Sequence, residues 1–438
     1  MLKRNDKKLI NAWAMYDWAN SVYSLSIATA IFPIYYKAVT ETSTSKTVFF
    51  FGREFLSDAL YSYAVSAAFL IVALLSPLLS SIADYKGNKL SFLKFFCYLG
   101  SISCASLYFF DGTNIEFGIL CFILAGVGFS GSLVFYNAFL KEIAEEKQQD
   151  KVSAKGFAMG YVGSVILLVV SLILIMFYKS FGFANDGQPT RISFVLVGLW
   201  WVGFAQIPFY FLKRFKFELK ETENTEIKKG NSIWGGYAEL KKVWNQLRKL
   251  NSLKRFLLAF FFFNMAVQTI MYLAVLFGES LKMDSTELII TILIIQLVAI
   301  VGANLFSFIS NRNGNIGGIM IAIVVWISIC VSAYFTFNKY HFFVDAFFVG
   351  MVMGGIQSLS RSTYSKMLPP TKDTASFFSF YDVTDKIGTV IGTSVFGFVT
   401  EQTGNIRNSV LTLTVFFVIG FLILSTVQNK LELKEANA

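Results

Sequence analysis

The sequence predicts an all-α membrane protein with twelve transmembrane helices arranged as two six-helix bundles. Twelve apolar stretches are each long enough to cross a bilayer, whose hydrocarbon core of about 30 Å needs about 20 apolar residues per helix. One long basic segment divides these stretches six and six. Of the 438 residues, 55% are hydrophobic and only 15% are charged, whereas a soluble domain carries about 25% charge.

The predicted spans define three parts of the chain. The N-terminal bundle (1–212, the first half) has spans at 16–38, 59–82, 91–110, 116–139, 156–178 and 193–212. The C-terminal bundle (256–438, the second half) has spans at 256–279, 286–309, 317–337, 341–363, 377–400 and 409–428. Between them, 213–255 is predicted to be a cytoplasmic linker.

Orientation follows from the distribution of positive charge. If the N-terminus lies inside, the inner loops and the linker hold most of the 38 Lys and Arg residues, so both termini are predicted to be cytoplasmic. The first span is too long for a signal-peptide core and contains Asp17 and Asn20, so we expect it to be retained as helix 1.

Composition excludes several classes of function. The net charge of +10 reflects the loop bias, and no nucleic-acid-binding motif accompanies it. The single histidine, His341, lies at an outer helix end, and the four cysteines fall within spans, so neither a zinc site nor a disulfide framework is predicted. A phosphate-binding loop and a serine-hydrolase elbow are also absent from the sequence, and no cofactor is expected.

The linker contains a pattern typical of an amphipathic helix. Apolar residues recur near helical spacing at Ile233, Tyr237, Leu240, Val243, Trp244 and Leu247. Basic residues occupy other positions, which predicts a short helix on the anionic inner leaflet. A solvated tether with some helix is the alternative.

The two halves resemble each other in sequence. Ser80–Gly87 and Ser307–Gly314 follow the second helix of their respective halves, and Gly163–Ile166 and Gly388–Ile391 recur at nearly the same offset, as do Ser132-Leu133 and Ser358-Leu359. Two matching six-helix halves that face each other across a substrate path are typical of transporters.

The chain resembles the major facilitator superfamily. Its helix 2–3 motif, Gly-x-x-x-Asp-Arg/Lys-x-Gly-Arg-Arg/Lys, is matched at Asp84, Gly87 and Lys89. The chain departs from the motif at Ser80, Tyr85 and Asn88. Three further segments resemble the vacuole-effluxer-like branch, also called the unknown major facilitator family: Trp13–Ser21, Lys155–Tyr161 and Gly354–Ser362.

This resemblance implies a secondary transporter that works by alternating access. Yeast members of the branch export amino acids from the vacuole. The resemblance therefore implies a small polar substrate, more specifically an amino acid, and it implies export as the direction of transport. It also implies a bacterial cytoplasmic membrane location, and we expect a monomer. A non-transporting receptor or scaffold built on the same bundle is the alternative, and a membrane enzyme would need interfacial His, Asp or Glu clusters.

Polar residues within spans are the candidates for substrate contact, because ionisable groups in lipid are costly and usually face a cavity or a partner. The candidates are Asp17, Asn20, Tyr136, Asn137, Asn264, Gln268, Gln357 and Arg361. The amides serve equally well as interhelical hydrogen bonds, and Asp17 as a helix-dipole anchor. Arg361 is predicted to hold a substrate carboxylate, to pair with Asp382 or Asp385, or to anchor at the headgroups.

Helix 11 carries the candidates for proton coupling or gating. Asp382 and Lys386 lie four residues apart and are predicted to pair, which leaves Asp385 as a proton site. The alternative is a purely structural salt bridge at the cytoplasmic gate. By the superfamily resemblance, Asp84 is expected to meet the start of helix 11 near Ser376, as a gate element.

Overall fold

The computed structural model describes residues 3–41, 47–215 and 232–427, and the chain is mostly helical over these ranges. The helices are α1 Lys7–Val22, α2 Ile31–Thr40, α3 Ser57–Lys86, α4 Lys89–Ser106, α5 Ile115–Ile143, α6 Gln149–Met176, α7 Gly187–Lys213, α8 Ser232–Lys249, α9 Asn251–Ser280, α10 Ser285–Tyr334, α11 Lys339–Met367, α12 Thr374–Thr403 and α13 Ile406–Leu424. Two short 3-10 segments lie at Leu107–Phe109 and Glu146–Gln148.

Ten of the described helical segments are long and apolar enough to cross a membrane. The predicted spans 286–309 and 317–337 both lie in α10, on either side of Gly314, whose φ of 72° and ψ of 164° interrupt the helix. The predicted span 377–400 lies in α12, which is not among the ten and which carries Asp382, Asp385 and Lys386 within about one turn. The count of twelve spans therefore stays a prediction.

Local sequence explains several helix boundaries. Asp284 begins α10 through a capping box, in which its side chain accepts from the N–H of Glu287 and the Glu287 side chain accepts in return. Asn338 caps α11 by accepting from the N–H of His341. Gly87 ends α3 with φ 64°, a left-handed conformation that glycine adopts without strain.

A short β-hairpin follows α2, which the all-α prediction did not include. Strands β1 (Thr47–Phe50) and β2 (Arg53–Leu56) pair antiparallel. The turn between them holds Phe51 and Gly52 at positive φ. The hairpin contacts α5 through the N–H of Phe51, which donates to Glu116.

Helix α8 defines one end of the bundle, which we call the linker end. Its Gly235 and Gly236 pack against Tyr85 and Ile82 of α3. Both termini of the described chain reach this end. The N–H of Asn5 donates to the carbonyl of Ile143 at 2.8 Å. The Arg255 side chain, at the start of α9, donates to the carbonyl of Thr426 at 3.0 Å.

The apolar face of α8 is divided between two environments. Val243 and Leu247 are buried against the bundle, whereas Tyr237 and Trp244 are exposed. The segment is helical, as its pattern predicted, and the bundle covers Val243 and Leu247. The placement of α8 on the inner leaflet stays a prediction. The Ile233 side chain and linker residues 216–231 lie outside the described residues.

Candidate functional site: a central cavity and the ion pairs beside it

A buried ion pair joins the two halves near the linker end. Arg361 of α11 donates from Nη1 to Oδ2 of Asp17 in α1 at 3.1 Å, and both side chains are about 95% buried. Tyr136 of α5 also donates to Oδ2 of Asp17, at 2.7 Å. Arg361 makes further hydrogen bonds to Ser153 of α6 and to Asn137. Four helices from the two halves therefore meet at this guanidinium. We call the five residues Asp17, Tyr136, Asn137, Ser153 and Arg361 the Arg361 cluster.

Glycine at position 156 makes this approach possible. A Cβ added to Gly156 would collide with Oδ2 of Asp17 and lie 2.8 Å from Nη2 of Arg361. The guanidinium also lies over aromatic rings, 4.1 Å from the centroid of Phe157 and 5.0 Å from that of Trp13. These ring faces favour a desolvated cation.

A second ionic network lies at the linker end, around the start of α12. Oδ2 of Asp84 accepts from the backbone N–H of Ser376 at 2.7 Å and from its hydroxyl at 2.6 Å. Lys89 lies 3.3 Å from Asp84 and 2.5 Å from Glu142, and donates to Thr374 at 2.7 Å. The expected contact between Asp84 and the start of this helix is confirmed, where the carboxylate also meets the positive end of the helix dipole.

A counterpart of this network lies at the start of α6. Oδ2 of Asp150 is 2.6 Å from Nζ of Lys366, and its Oδ1 accepts from the amide of Asn315 at 2.7 Å. Ser310 donates to the same carboxylate at 3.1 Å. Asp84, near the end of α3, thus links the first half to the second half, and Asn315, next to the interruption of α10 at Gly314, links the second half to the first.

Helix α8 adds a contact from outside the bundle. Nζ of Lys242 lies 2.7 Å from Glu239 and 3.1 Å from Asp373, the residue that precedes α12. Partial burial acts to lower the pKa of Lys242, but the hydrogen bond to Glu239 and the charge of Asp373 outweigh it and raise that pKa. The linker is therefore tied to the same helix start as Asp84.

Deeper in the bundle, a cavity of about 130 Å³ lies between the halves. The first half contributes Ser24, Thr29 and Tyr161, and the second half contributes amides and apolar side chains. The lining from the second half comprises Gln268, Met271, Tyr272, Ala274, Ile292, Ile295, Gln296, Val349, Met353 and Gln357. A hydrogen bond of 2.8 Å from Tyr161 to Gln357 joins the halves at the cavity wall. We call this space the central cavity.

The cavity borders a distortion of helix 1. Between α1 and α2, residues Tyr23–Ala30 form a π-helical segment, and the Thr29 hydroxyl donates to the carbonyl of Ser24, five residues earlier, at 2.9 Å. Segments of this kind occur frequently at functional sites. Here the distortion includes two residues of the cavity lining, Ser24 and Thr29, and no proline or glycine in the segment signals it.

Helix α12 holds three charges beside the cavity, Asp382, Asp385 and Lys386, which we call the α12 triad. Nζ of Lys386 lies 2.6 Å from Asp385 and 3.8 Å from Asp382. Oδ1 of Asp385 also accepts from Asn264 at 2.5 Å and from the cavity residue Gln268 at 3.1 Å. The predicted pair of Asp382 and Lys386 is present, but the closer partner is Asp385, so the prediction that Asp385 is left over is wrong.

The other predicted residues are distributed between these groups. In the described part of the chain, Gln268 and Gln357 line the central cavity, whereas Asp17, Asn20, Tyr136, Asn137, Asn264 and Arg361 do not. Of the three roles considered for Arg361, pairing with Asp382 or Asp385 is wrong, because Asp17 and Ser153 already take its donors. Asn20 is buried, and its Nδ2 finds no partner among the described residues.

Sequence reasoning missed polar residues between the predicted spans and one within a span. Asp150, Asn315 and Lys366 fell outside the predicted spans or at their ends. The internal repeat offered a signal for them, since a loop matching Ser80–Gly87 should contact the opposite half as Asp84 does. Asp345 of α11 was also missed; it is buried and accepts from Ser332 and Thr336, each at 2.7 Å.

Comparison with known sequences identifies relatives across the whole chain. A family model described as "Vacuole effluxer Atg22 like" matches residues 5–437. The uncharacterized MFS-type transporter YxiO of Bacillus subtilis is 32% identical, over 98% of this chain and 96% of its own. Autophagy-related protein 22 of Kluyveromyces lactis is 25% identical, over 94% of this chain and 92% of its own.

Solved structures of similar fold are transporters as well. The E. coli fucose:proton symporter FucP superimposes with a TM-score of 0.68 at 15% identity, over 96% of this chain and 98% of its own. The human organic anion transporter MFSD10 gives a TM-score of 0.71 at 12% identity, over 96% of this chain and 100% of the MFSD10 chain. The chain therefore has the fold of a multi-pass membrane transporter, and these relatives are transporters rather than enzymes.

Proposed function

This chain belongs to the vacuole effluxer Atg22-like family of the major facilitator superfamily, and from that premise we propose that it is a secondary active transporter for a small polar metabolite. The two halves, 1–212 and 256–438, would alternate around the central cavity. The observation that carries the proposal is the cavity itself, which draws its lining from both halves. Substrate sites between two matching halves are the expected arrangement in such transporters.

The contacts between the halves support a state that is closed at the linker end. Asp84 meets Ser376, Asp150 meets Asn315, and Arg361 meets Asp17. Lys141 adds hydrogen bonds to the carbonyls of the α11 C-terminus. These ionic and polar contacts must separate for a substrate to pass, which makes them the gate of the proposed cycle.

The chemistry of the cavity favours a small polar substrate. Its walls offer amides and hydroxyls beside methionine and branched aliphatic side chains, a lining suited to a molecule with hydrogen-bonding and apolar parts. Its volume is roughly ten times the minimum for one ordered water, which fits an amino acid better than a drug-sized molecule. We propose export as the direction, by analogy with the effluxer family.

We further infer that the linker end faces the cytoplasm. Its loops and α8 carry a large share of the basic residues. Exposed Trp234, Tyr237 and Trp244 on α8, beside exposed Lys241 and basic residues of its last turn, suit the headgroup region of an anionic leaflet. For a bacterial protein this is the inner leaflet of the cytoplasmic membrane.

Reconstitution tests the proposal directly. Liposomes that contain the purified protein are loaded with a panel of radiolabelled amino acids. Release of the label is followed with and without a pH gradient. We expect saturable release of at least one amino acid that empty liposomes do not show. A matched variant, Gln268→Leu, should reduce that release because it removes an amide from the cavity wall. Flux equal to that of empty liposomes for every compound would overturn the amino-acid form of the proposal.

A further inference from the structure

The α12 triad is buried and, when all three side chains are ionised, has two negative charges and one positive charge. The side chains of Asp382 and Lys386 are each 9% exposed and that of Asp385 is 14% exposed. Asp385 receives three donors, from Lys386, Asn264 and Gln268. Asp382 receives only the distant ammonium of Lys386, at 3.8 Å from its Oδ1.

One oxygen of Asp382 has no partner at all. Its Oδ2 is buried and makes no hydrogen bond to any of the residues that the structure describes. An ionised carboxylate in this position is costly, because it has lost water and gained no donor in return. A proton on Asp382 removes the excess charge and leaves Lys386 and Asp385 as a matched pair.

We propose that Asp382 is the proton-binding carboxyl of this protein, an inference that rests on the proposed transport function. In the described state the acid is neutral, and Lys386 lies closer to Asp385 than to Asp382. When the proton leaves Asp382, the new negative charge draws Lys386 toward it. Asp385 then loses its cation, and the amides of Asn264 and Gln268 become free to turn. Since Gln268 lines the central cavity, the proton alters the substrate-facing wall.

Aromatic side chains of α9 and α3 lie beside Lys386. From α9, Tyr272 interacts electrostatically with Lys386 and Asp385, and from α3 the Phe69 ring lies 5.3 Å from Nζ of Lys386. Tyr381, on α12 itself, interacts with both carboxyls and with Arg361.

Several further charged groups bind α12 at its start. Asp84 of α3 binds Ser376, Glu142 of α5 and Lys89 of α4 bind Thr374, and Lys242 of α8 binds Asp373. These contacts precede Asp382 by about two helical turns. Lys386 is therefore the cation placed to respond to the charge of Asp382.

Infrared difference spectroscopy tests the assignment without any substrate. Detergent-solubilised protein is measured between acidic and alkaline pH, and the carbonyl stretch of a protonated carboxylic acid is followed. We expect one such band in the unmodified protein and its loss in Asp382→Asn. Asp382→Glu should retain the band at a shifted frequency, whereas Asp385→Glu should leave the frequency unchanged. Thermal unfolding of each variant identifies any that fails to fold, and the two Glu variants keep every charge.

A shift in Asp385→Glu rather than in Asp382→Glu would overturn the proposal, as would an unmodified protein without the band. The result is independent of the liposome assay. If the band changes with substitution of Asp382 but no amino-acid flux is measured, the proton site is supported and the amino-acid substrate is rejected. If amino-acid flux is measured but no titrating band depends on Asp382, the substrate is supported and the proton site is rejected.

Discussion

The backbone N–H of Ser376 donates to Oδ2 of Asp84 at 2.7 Å, so a carboxylate of the first half caps the start of α12 in the second half. Lys89 neutralises the same carboxylate and reaches across to Thr374. Helix α12 also carries Asp382, Asp385 and Lys386. The gate contact and the proposed proton site are therefore two parts of one helix, about two turns apart.

Replacing Asp84 should open the linker end. Asp84→Ala removes the acceptor of three hydrogen bonds from the start of α12 and leaves Lys89 with Glu142 as its remaining carboxylate. We expect a cysteine introduced at the buried Ser365 to react faster with a membrane-impermeant thiol reagent, in a background in which the four buried native cysteines are alanine.

Glu401→Gln is the matched control for Asp84→Ala, because Glu401 is an exposed acidic residue at the opposite end of the same helix α12. Labelling in this control should equal that of the parent. Equal labelling in Asp84→Ala and the parent would show that Asp84 does not hold the gate closed.

Adding one methyl group at Gly156 should separate the Arg361 cluster. The new Cβ would occupy space held by Asp17 and Arg361, and overpacking of this kind costs roughly 1–3 kcal/mol. We expect Gly156→Ala to lower the thermal unfolding temperature and to raise labelling at position 365. Gly203→Ala is the control, since nothing lies within 4 Å of the added atom there. A Gly156→Ala variant as stable as Gly203→Ala would contradict the packing described.

The ion pair of Asp17 and Arg361 should show strong coupling. Removing one partner of a buried pair leaves an uncompensated charge and costs about 3–5 kcal/mol. We expect Asp17→Asn and Arg361→Gln each to destabilise the protein. The double variant should lose less than the sum of the two, by roughly 0.5–3 kcal/mol. Thermal or denaturant unfolding in detergent measures the stability of the parent, the two single variants and the double variant. If the stability losses of the single variants add up in the double variant, the two side chains do not interact.

Apolar length predicted where most of the helices lie, because it is a local signal, and the resemblance to the superfamily implied the contact of Asp84 with α12. The sequence could not supply the partner of Arg361. That partner, Asp17, lies more than 300 residues away, and the pairing depends on the absence of a side chain at Gly156. Glycine at that position predicts close packing but not which groups will fill the space.

The α12 triad shows a different limit. Helical spacing placed Asp382 and Lys386 on one face, and they are indeed within 3.8 Å. The closer contact of Lys386 with the adjacent Asp385 depends on two amides of α9, Asn264 and Gln268, which hold that carboxylate in place. Interactions between helices therefore decided which carboxyl was left without a donor, and spacing along one helix could not reveal it.

Lys242 should link the stability of the closed gate to salt and pH. Its contact with Asp373 is partly exposed, since the Lys242 side chain is 53% accessible, and such pairs contribute about 0–1 kcal/mol. The pKa of Lys242 is raised in the folded protein, so the pair stabilises at pH values below the ordinary lysine pKa and is lost as the pH rises through the raised value. We expect Lys242→Ala to increase labelling at position 365 slightly at low salt and not at high salt, where screening already weakens the pair. Lys241→Ala, at an exposed neighbouring position, is the control for charge alone. If both variants label alike at low salt, the effect belongs to the net charge of α8, and the contact with Asp373 has no part in the gate.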